Sequence, residues 1–351
     1  MNKSILFLLL LTCSSCSSLY KFSIDVQEPA PVTLPVSAQN VLILDNTAVQ
    51  PKDYGIDRAF NGKSIPADYP LSLDSMVWSA ADEIAGVLND SHFFNTIAVY
   101  KESLGLNTEW LSVNELSSEE QSDFYDDKNY DALFVIDRLV FSVKEDVKKM
   151  QKIFLPEEMI NGFVDMRVDG LITCSMYVYG KEKPLNTLTV SDSLFVKSIV
   201  EGDSIIFFKE IPEYIIHELS RQLGNQIAKL YIPTWNTVGR IFFTGYNARM
   251  QEATSFAANH KWANAGSIWT TELGKKTKPV DKAKIAFNLA VADEMQDKLD
   301  SALEWAQKAK ELLNGKQYDD LQETDLVNKY ISELGRRIQN NRLLDLQWGR
   351  E

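Results

Sequence analysis

The chain has 351 residues, 45% of them hydrophobic, enough for a substantial core and, at this length, for two domains. Its 36 Lys and Arg face 49 Asp and Glu, a formal net charge of −13. That balance makes nucleic acid and anionic lipid surfaces poor partners, because both would meet mostly like charge.

The stretch "FLLLLTCSSCSS" occupies residues 7–18. Lys3 precedes it, and Ile5 to Leu11 form an unbroken apolar run. The run is far short of the about 20 residues that cross a bilayer and fits the apolar region of a signal peptide. Small polar residues and cysteine follow, an order that resembles the lipobox of bacterial lipoproteins. Two registers fit. Cys16 follows Ser14 and Ser15, with Cys13 where Leu is usual; Cys13 follows Leu10, Leu11 and Thr12. The small residue required before the cut favours Cys16, and an ordinary secretory signal with incidental cysteines is the alternative. The resemblance implies that residues 1–15 are a signal peptide and that Cys16 is acylated. Cys174 is then the one free thiol, and no internal disulfide is expected. Acyl chains would anchor the protein, each buried CH₂ contributing about 0.8 kcal/mol.

Residues 16–38 read as a tether, because Pro29, Pro31 and Pro35 favour extended chain. An α/β (α+β) domain with a mixed sheet is expected over 39–236. "NVLILDN" reads as a buried strand, and the Pro- and Gly-broken stretch 51–70 as a loop. Met76, Val77, Ala80, Ile84, Val87 and Leu88 form a helical stripe, with Asp74 as N-cap. "FNTIAVY" is a second strand. Ser117 and Glu120 make a capping box that opens a short helix. "YDALFVIDRLVFSVKED" is a long strand, and "RVDGLITCSMYVYG" and "LNTLTVSDSLFVKS" flank "KEKP" as a hairpin. Ile205 to Lys209 read as a short strand. "IPEYIIHELSRQLGNQIAKLYIP" is an amphipathic helix, with Pro212 in its first turn and Pro233 beyond its end.

Strand patterns end after Gly239, which places a domain boundary near 236–244. The stretch "FNLAVADEMQDKLDSALEWAQKAKELL" at 287–313 resembles a tetratricopeptide repeat: Leu289, Ala290, Ala302 and Ala309 match, and Ala306 stands where a large aromatic is usual, with Trp305 beside it. Ala253, Ala265 and Trp269 repeat the pattern 37 residues earlier, against a family period of about 34. Two such hairpins are expected over 237–314, and a capping helix and tail over 315–351. Leu326, Tyr330, Leu334 and Ile338 form the covering stripe. Plain Ala-rich helical packing is the alternative. The repeat resemblance implies a concave partner-binding face made by Asn247, Met250, Thr254, Lys284, Phe287, Val291 and Glu294, unless the capping helix or the first domain fills it.

Catalytic signals fail on spacing. "GIDRAFNGKS" has six residues between its glycines, where a phosphate loop needs four. "HELSR" lacks the second His of a zinc-protease helix, and His217 is better placed to pair with Glu213. Cys174 has no predictable activating base. Asp45 and Asp137 end or interrupt apolar strands and receive no role. No catalytic residue, cofactor or metal is expected.

Lipobox, proline tether, α/β domain and repeat helices together resemble a group of Bacteroidetes envelope lipoproteins of unknown function. The resemblance implies an outer-membrane lipoprotein facing the periplasm. The combination of anchor, repeat and absent catalytic motif points to a non-enzymatic adaptor that holds a protein or peptide on its repeat helices. An envelope enzyme or small-ligand binder using the α/β domain, and a structural subunit of an envelope assembly, are the alternatives.

Overall fold

The computed structural model describes residues 19–52, 54–60, 63–65, 73, 75–125, 130–149, 162–200, 213–245, 247–319 and 321–350. The signal peptide, Cys13, Cys16, the Asp74 cap, the strand at Ile205 to Lys209 and Pro212 lie outside them. The chain divides into two units. One takes Ala30–Thr234 with Gln347–Glu351; the other takes Trp235–Leu346 with the residues up to Pro29.

The α/β unit is built on a strand that is apolar on both faces. In β2 (Asn40–Asp45), Val41 and Ile43 enter one core and Leu42 and Leu44 the other. A strand of that kind needs cover on both sides. It lies between β5 (Thr96–Ser103) and β6 (Ala132–Lys149) and is parallel to both. β6 continues past β2 and pairs in parallel with β3 (Ile56–Phe60), which pairs antiparallel with β4 (Lys63–Ile65). On its other side β6 carries β7 (Gly162–Val178), which in turn carries β8 (Asn186–Val200), both antiparallel. Helices α1 (Met76–Asp90) and α3 (Glu213–Ala228) cover the Val41 face, and α2 (Ser118–Tyr125) covers the Leu42 face. The capping box forms as expected: Ser117 N donates to Glu120 Oε2 at 2.7 Å, and Glu120 N donates to Ser117 Oγ at 3.3 Å.

The second unit is helical. α4 (Ala248–Ala258), α5 (Trp262–Lys275), α6 (Pro279–Glu294) and α7 (Leu299–Leu312) precede the long α8 (Gln322–Trp348). Ala253, Ala265, Ala290, Ala302, Ala306 and Ala309 are buried, as close helix contact demands. The architecture is therefore a mixed α/β unit followed by a helical unit.

Three expectations are corrected. The supposed tether holds β1 (Leu19–Glu28), which pairs with β9 (Thr234–Phe243) inside the helical unit. Tyr20, Phe22, Ile24 and Val26 alternate with more exposed residues, a strand signature that the prolines following it obscured. β9 likewise extends the strand content past Gly239. The stretch read as a loop contains β3 and β4, and the Asn-Gly dipeptide at 61–62 is the sequence signal for such a connection. Gly55, at φ +90°, precedes β3, and a Cβ there would meet Phe141 O at 2.6 Å. This stretch of the former phosphate-loop candidate is therefore sheet backbone.

α1 and α3 cross at Gly224, where a Cβ would lie 2.7 Å from Ala80 O. Ser220 Oγ donates to Met76 O beside it. Helix propensity alone favours Gly224→Ala by about 1 kcal/mol. The obstacle is backbone, so overpacking, at about 1–3 kcal/mol, outweighs that gain. Urea denaturation should show Gly224→Ala to be less stable than the natural chain; equal or greater stability would place the helices farther apart.

Candidate functional site

The seven residues of the expected concave face do not form an open surface. On α6, Phe287, Val291 and Glu294 are buried, with Glu294 1% exposed. Met250 on α4 is also buried. Lys284 is half-buried and pairs with Glu323 at 2.8 Å. Asn247 caps α4, accepting from Met250 N at 2.8 Å, and half-buried Thr254 donates to Met250 O. The expectation of a groove along α6 is thus overturned by the chain's own segments. Tyr330 of α8 lies against Phe287 at 4.8 Å, and Phe243 of β9 meets its ring edge-on at 5.4 Å. Asn288 Nδ2 donates to Phe243 O and its Oδ1 accepts from Phe243 N, both at 2.7 Å.

Glu294 explains why the closure is tight. Arg240 of β9 donates to both of its oxygens, at 2.9 and 2.8 Å. Tyr330 Oη and Arg337 of α8 add donors at 2.7 and 2.8 Å. Arg240 also reaches Glu333 at 3.0 Å. Burial by itself would raise the Glu294 carboxyl; Arg240, Tyr330 and Arg337 instead hold it below the ordinary range. Among the described residues, no buried side-chain atom of Glu294, Arg240, Tyr330 or Arg337 is left without a hydrogen-bond partner.

A second polar cluster lies where β2 ends, in the α/β unit. Asp137 occupies a bulge between Ile136 and Arg138 of β6, which turns a polar side chain into an otherwise apolar strand. Its Oδ2 accepts from Ser175 Oγ at 2.6 Å, and Ser175 bonds Thr187 at 2.8 Å. Its Oδ1 has no hydrogen-bond partner among the described residues. Asn107 Nδ2 donates to Asn46 O and Asp137 O at 2.7 and 2.9 Å, fastening the loop after β5 to the sheet. Asp45 is engaged locally, accepting from Thr47 N and Oγ1. Burial pushes the Asp137 carboxyl up to about 7, against the lowering influence of Ser175 and Arg138. Sequence inspection saw Asp137 only as a break in an apolar run; its partners come from other strands.

The remaining sequence signals are structural. Cys174 is fully buried, and burial pushes its thiol well up, which removes it as a nucleophile. His217 Nε2 lies 3.6 Å from Glu213, as the spacing implied, and its Nδ1 bonds Ser79 Oγ at 2.6 Å. Among the described residues no three His, Cys, Asp or Glu side chains are grouped to hold a metal ion.

An open cavity of about 370 Å³ lies between α2 and the β7–β8 turn. Ser118, Gln121, Ser122 and Tyr125 line it from the helix, and Tyr179, Lys181 and Glu182 from the turn. Gln121 Nε2 donates to Leu116 O and Glu182 O at 2.9 and 2.8 Å, fixing helix and turn together. Tyr179 is 64% exposed and meets Tyr125 edge-on at 5.4 Å. Gly180, at φ +80°, gives the turn its left-handed residue. Nothing in the sequence marked this cavity, because its walls are distant in the chain.

The pH dependence of stability reports the Asp137 cluster. The folded-state value near 7 lies above the ordinary carboxylate value of about 3.9. The contribution from protonated Asp137 is therefore full below about pH 4 and is lost as pH rises toward 7, by about 1.4 kcal/mol per unit. Asp137→Asn should remove this slope in urea titrations between those values. An unchanged slope would mean that Asp137 is ionised and solvated.

Residues 38–243 match the model of a domain of unknown function, DUF8603, and residues 251–336 match that of another, DUF6340. A search of curated proteins finds no match. Among solved structures, a neuraminyllactose-binding hemagglutinin homolog from Helicobacter pylori shares 10% identity with a TM-score of 0.22, over 56% of this chain and 81% of its own. Protein XCC0632 of Xanthomonas campestris, of the DUF330 family, shares 10% identity with a TM-score of 0.20, over 57% and 85%. The match over 38–243 spans more than half of the chain, and the protein belongs to the DUF8603 family of domains of unknown function.

Proposed function

We propose that this chain is a non-enzymatic binding protein of the bacterial cell envelope, anchored to the outer membrane by acylation of Cys16 and facing the periplasm, which captures a protein or peptide segment. Among the described residues no helix is long and apolar enough to cross a membrane, so an acyl chain at the lipobox-like segment is the anchor this reading needs. The observation that carries the choice of site is the filling of the α6 face by β9 and α8. Binding then falls to the α/β unit, where the cavity beside α2 presents an exposed tyrosine ring with amide, hydroxyl, ammonium and carboxylate groups around it. An exposed aromatic flanked by polar groups is the composition of a recognition hot spot. The helical unit, on this reading, is a structural body.

Site-specific photocrosslinking in cells tests the assignment. A photoreactive phenylalanine at Tyr179 should give a reproducible adduct with one envelope protein, and the same residue at Thr254 should give none. An adduct at Thr254 and none at Tyr179 would return binding to the helical unit.

A further inference from the structure

The first described residue after the lipobox, Leu19, already belongs to β1. Tyr20 stacks on Phe242 at 4.8 Å, and Asp25 accepts from Thr237 at 2.6 Å. As one strand advances the other retreats, so β1 and β9 are antiparallel and Leu19 lies at the Phe243 end of β9. Three residues of fully extended chain reach about 10 Å, a distance comparable to the polar headgroup layer of a bilayer. An acyl group on Cys16 therefore leaves no long tether: it brings this end of the helical unit to the membrane surface.

The same end carries a concentration of lysine that the net charge of the chain hides. Lys284 Nζ lies 5.5 Å over the Phe243 ring. Asn247, at the start of α4, bonds Glu272 at 3.4 Å, which bonds Lys275 at 2.8 Å. These contacts hold the α5–α6 connection at the Phe243 end of β9; Lys275 ends α5, Lys276 and Lys278 lie in the connector, and Lys282 is one turn into α6. The acidic groups on these elements include Glu272, Asp281, Glu323, Asp325 and Glu252. Glu272 is matched by Lys275, Glu323 by Lys284 and Glu252 by Arg249. Lys276, Lys278 and Lys282 have no ion pair among the described residues.

We propose that this end of the helical unit is a membrane-docking surface, with Lys276, Lys278 and Lys282 resting on the anionic headgroups of the leaflet that holds the Cys16 acyl chains. The inference rests on the acylation of Cys16 proposed above. Each lysine close to an anionic surface contributes about a fivefold preference, and the field falls off within a Debye length of about 8–10 Å. The acidic remainder of the chain is repelled by the same surface, so the basic end faces it. The whole-chain balance gave the opposite expectation for anionic lipid because it averages over this local set.

The test uses the full acylated protein in vesicles of phosphatidylglycerol and phosphatidylethanolamine, with intact mass reading the acyl group. A fluorophore on Thr277→Cys, in the connector, is compared with one on Asn259→Cys, at the α4–α5 turn, using a lipid that carries a headgroup nitroxide quencher. Quenching should be at least about threefold stronger at 277. It should fall toward the value at 259 when Lys276, Lys278 and Lys282 are replaced by Gln, or when a spacer of about a dozen Gly and Ser residues, long enough to add tens of ångströms of reach, is inserted after Ser18. An acylated protein quenched equally at both positions overturns the docking surface and leaves the anchor standing. A mass without acyl groups overturns both.

Discussion

The Glu294 carboxylate is a charge taken almost wholly out of water, and the helical unit is organised around that fact. An isolated buried carboxylate costs several kcal/mol, so it persists only where donors converge on it. Here they come from two elements: Arg240 from β9, and Tyr330 and Arg337 from α8, all meeting a residue of α6. Meeting that requirement draws the strand and the last helix over the face of α6. Phe287 is then enclosed between Phe243 and Tyr330. The charge cluster contributes geometry more than net stability, since a buried ion set of this kind competes with a well-packed apolar core of the same volume.

The α/β unit answers a related constraint in a different way. β2 is apolar on both sides and is covered on both, but at its carboxyl end the sheet must accommodate the Asp137 bulge. Asn107 satisfies the backbone carbonyls of Asn46 and Asp137, and Ser175 satisfies one carboxyl oxygen. Protonation is the route left to the other oxygen, and burial drives it. The cluster thus pins the loop that leads to α2, and α2 forms one wall of the open cavity. The buried cluster and the open cavity are linked through that loop.

Much of the fold could be read from the chain. The two-faced run of β2, the stripe from Met76 to Leu88 and the Ser117–Glu120 box each correspond to an observed element, because their signals are local. β1 carried an equally local signal in Tyr20, Phe22, Ile24 and Val26, but Pro29, Pro31 and Pro35 outweighed it in the reading. The binding face failed for another reason. The repeat resemblance implied Phe287 and Glu294 on one surface of α6, where Tyr330 meets both; what it cannot supply is the partner of Glu294, an arginine 54 positions away in β9. The cavity at Tyr179 was equally silent, since its helix and its turn are distant in the chain and meet through the side chains of Gln121, Tyr125 and Tyr179.

Closure of the α6 face is the claim on which the choice of site depends, and thiol labelling measures it directly. Val291→Cys should react with maleimide in the native protein as slowly as the buried Cys174, while Tyr179→Cys reacts at the rate of an exposed thiol. Peptide-resolved mass spectrometry separates the three sites. Rapid labelling at 291 with Cys174 still protected would mean that the α6 face opens in the folded protein, and the helical groove would be a binding surface after all.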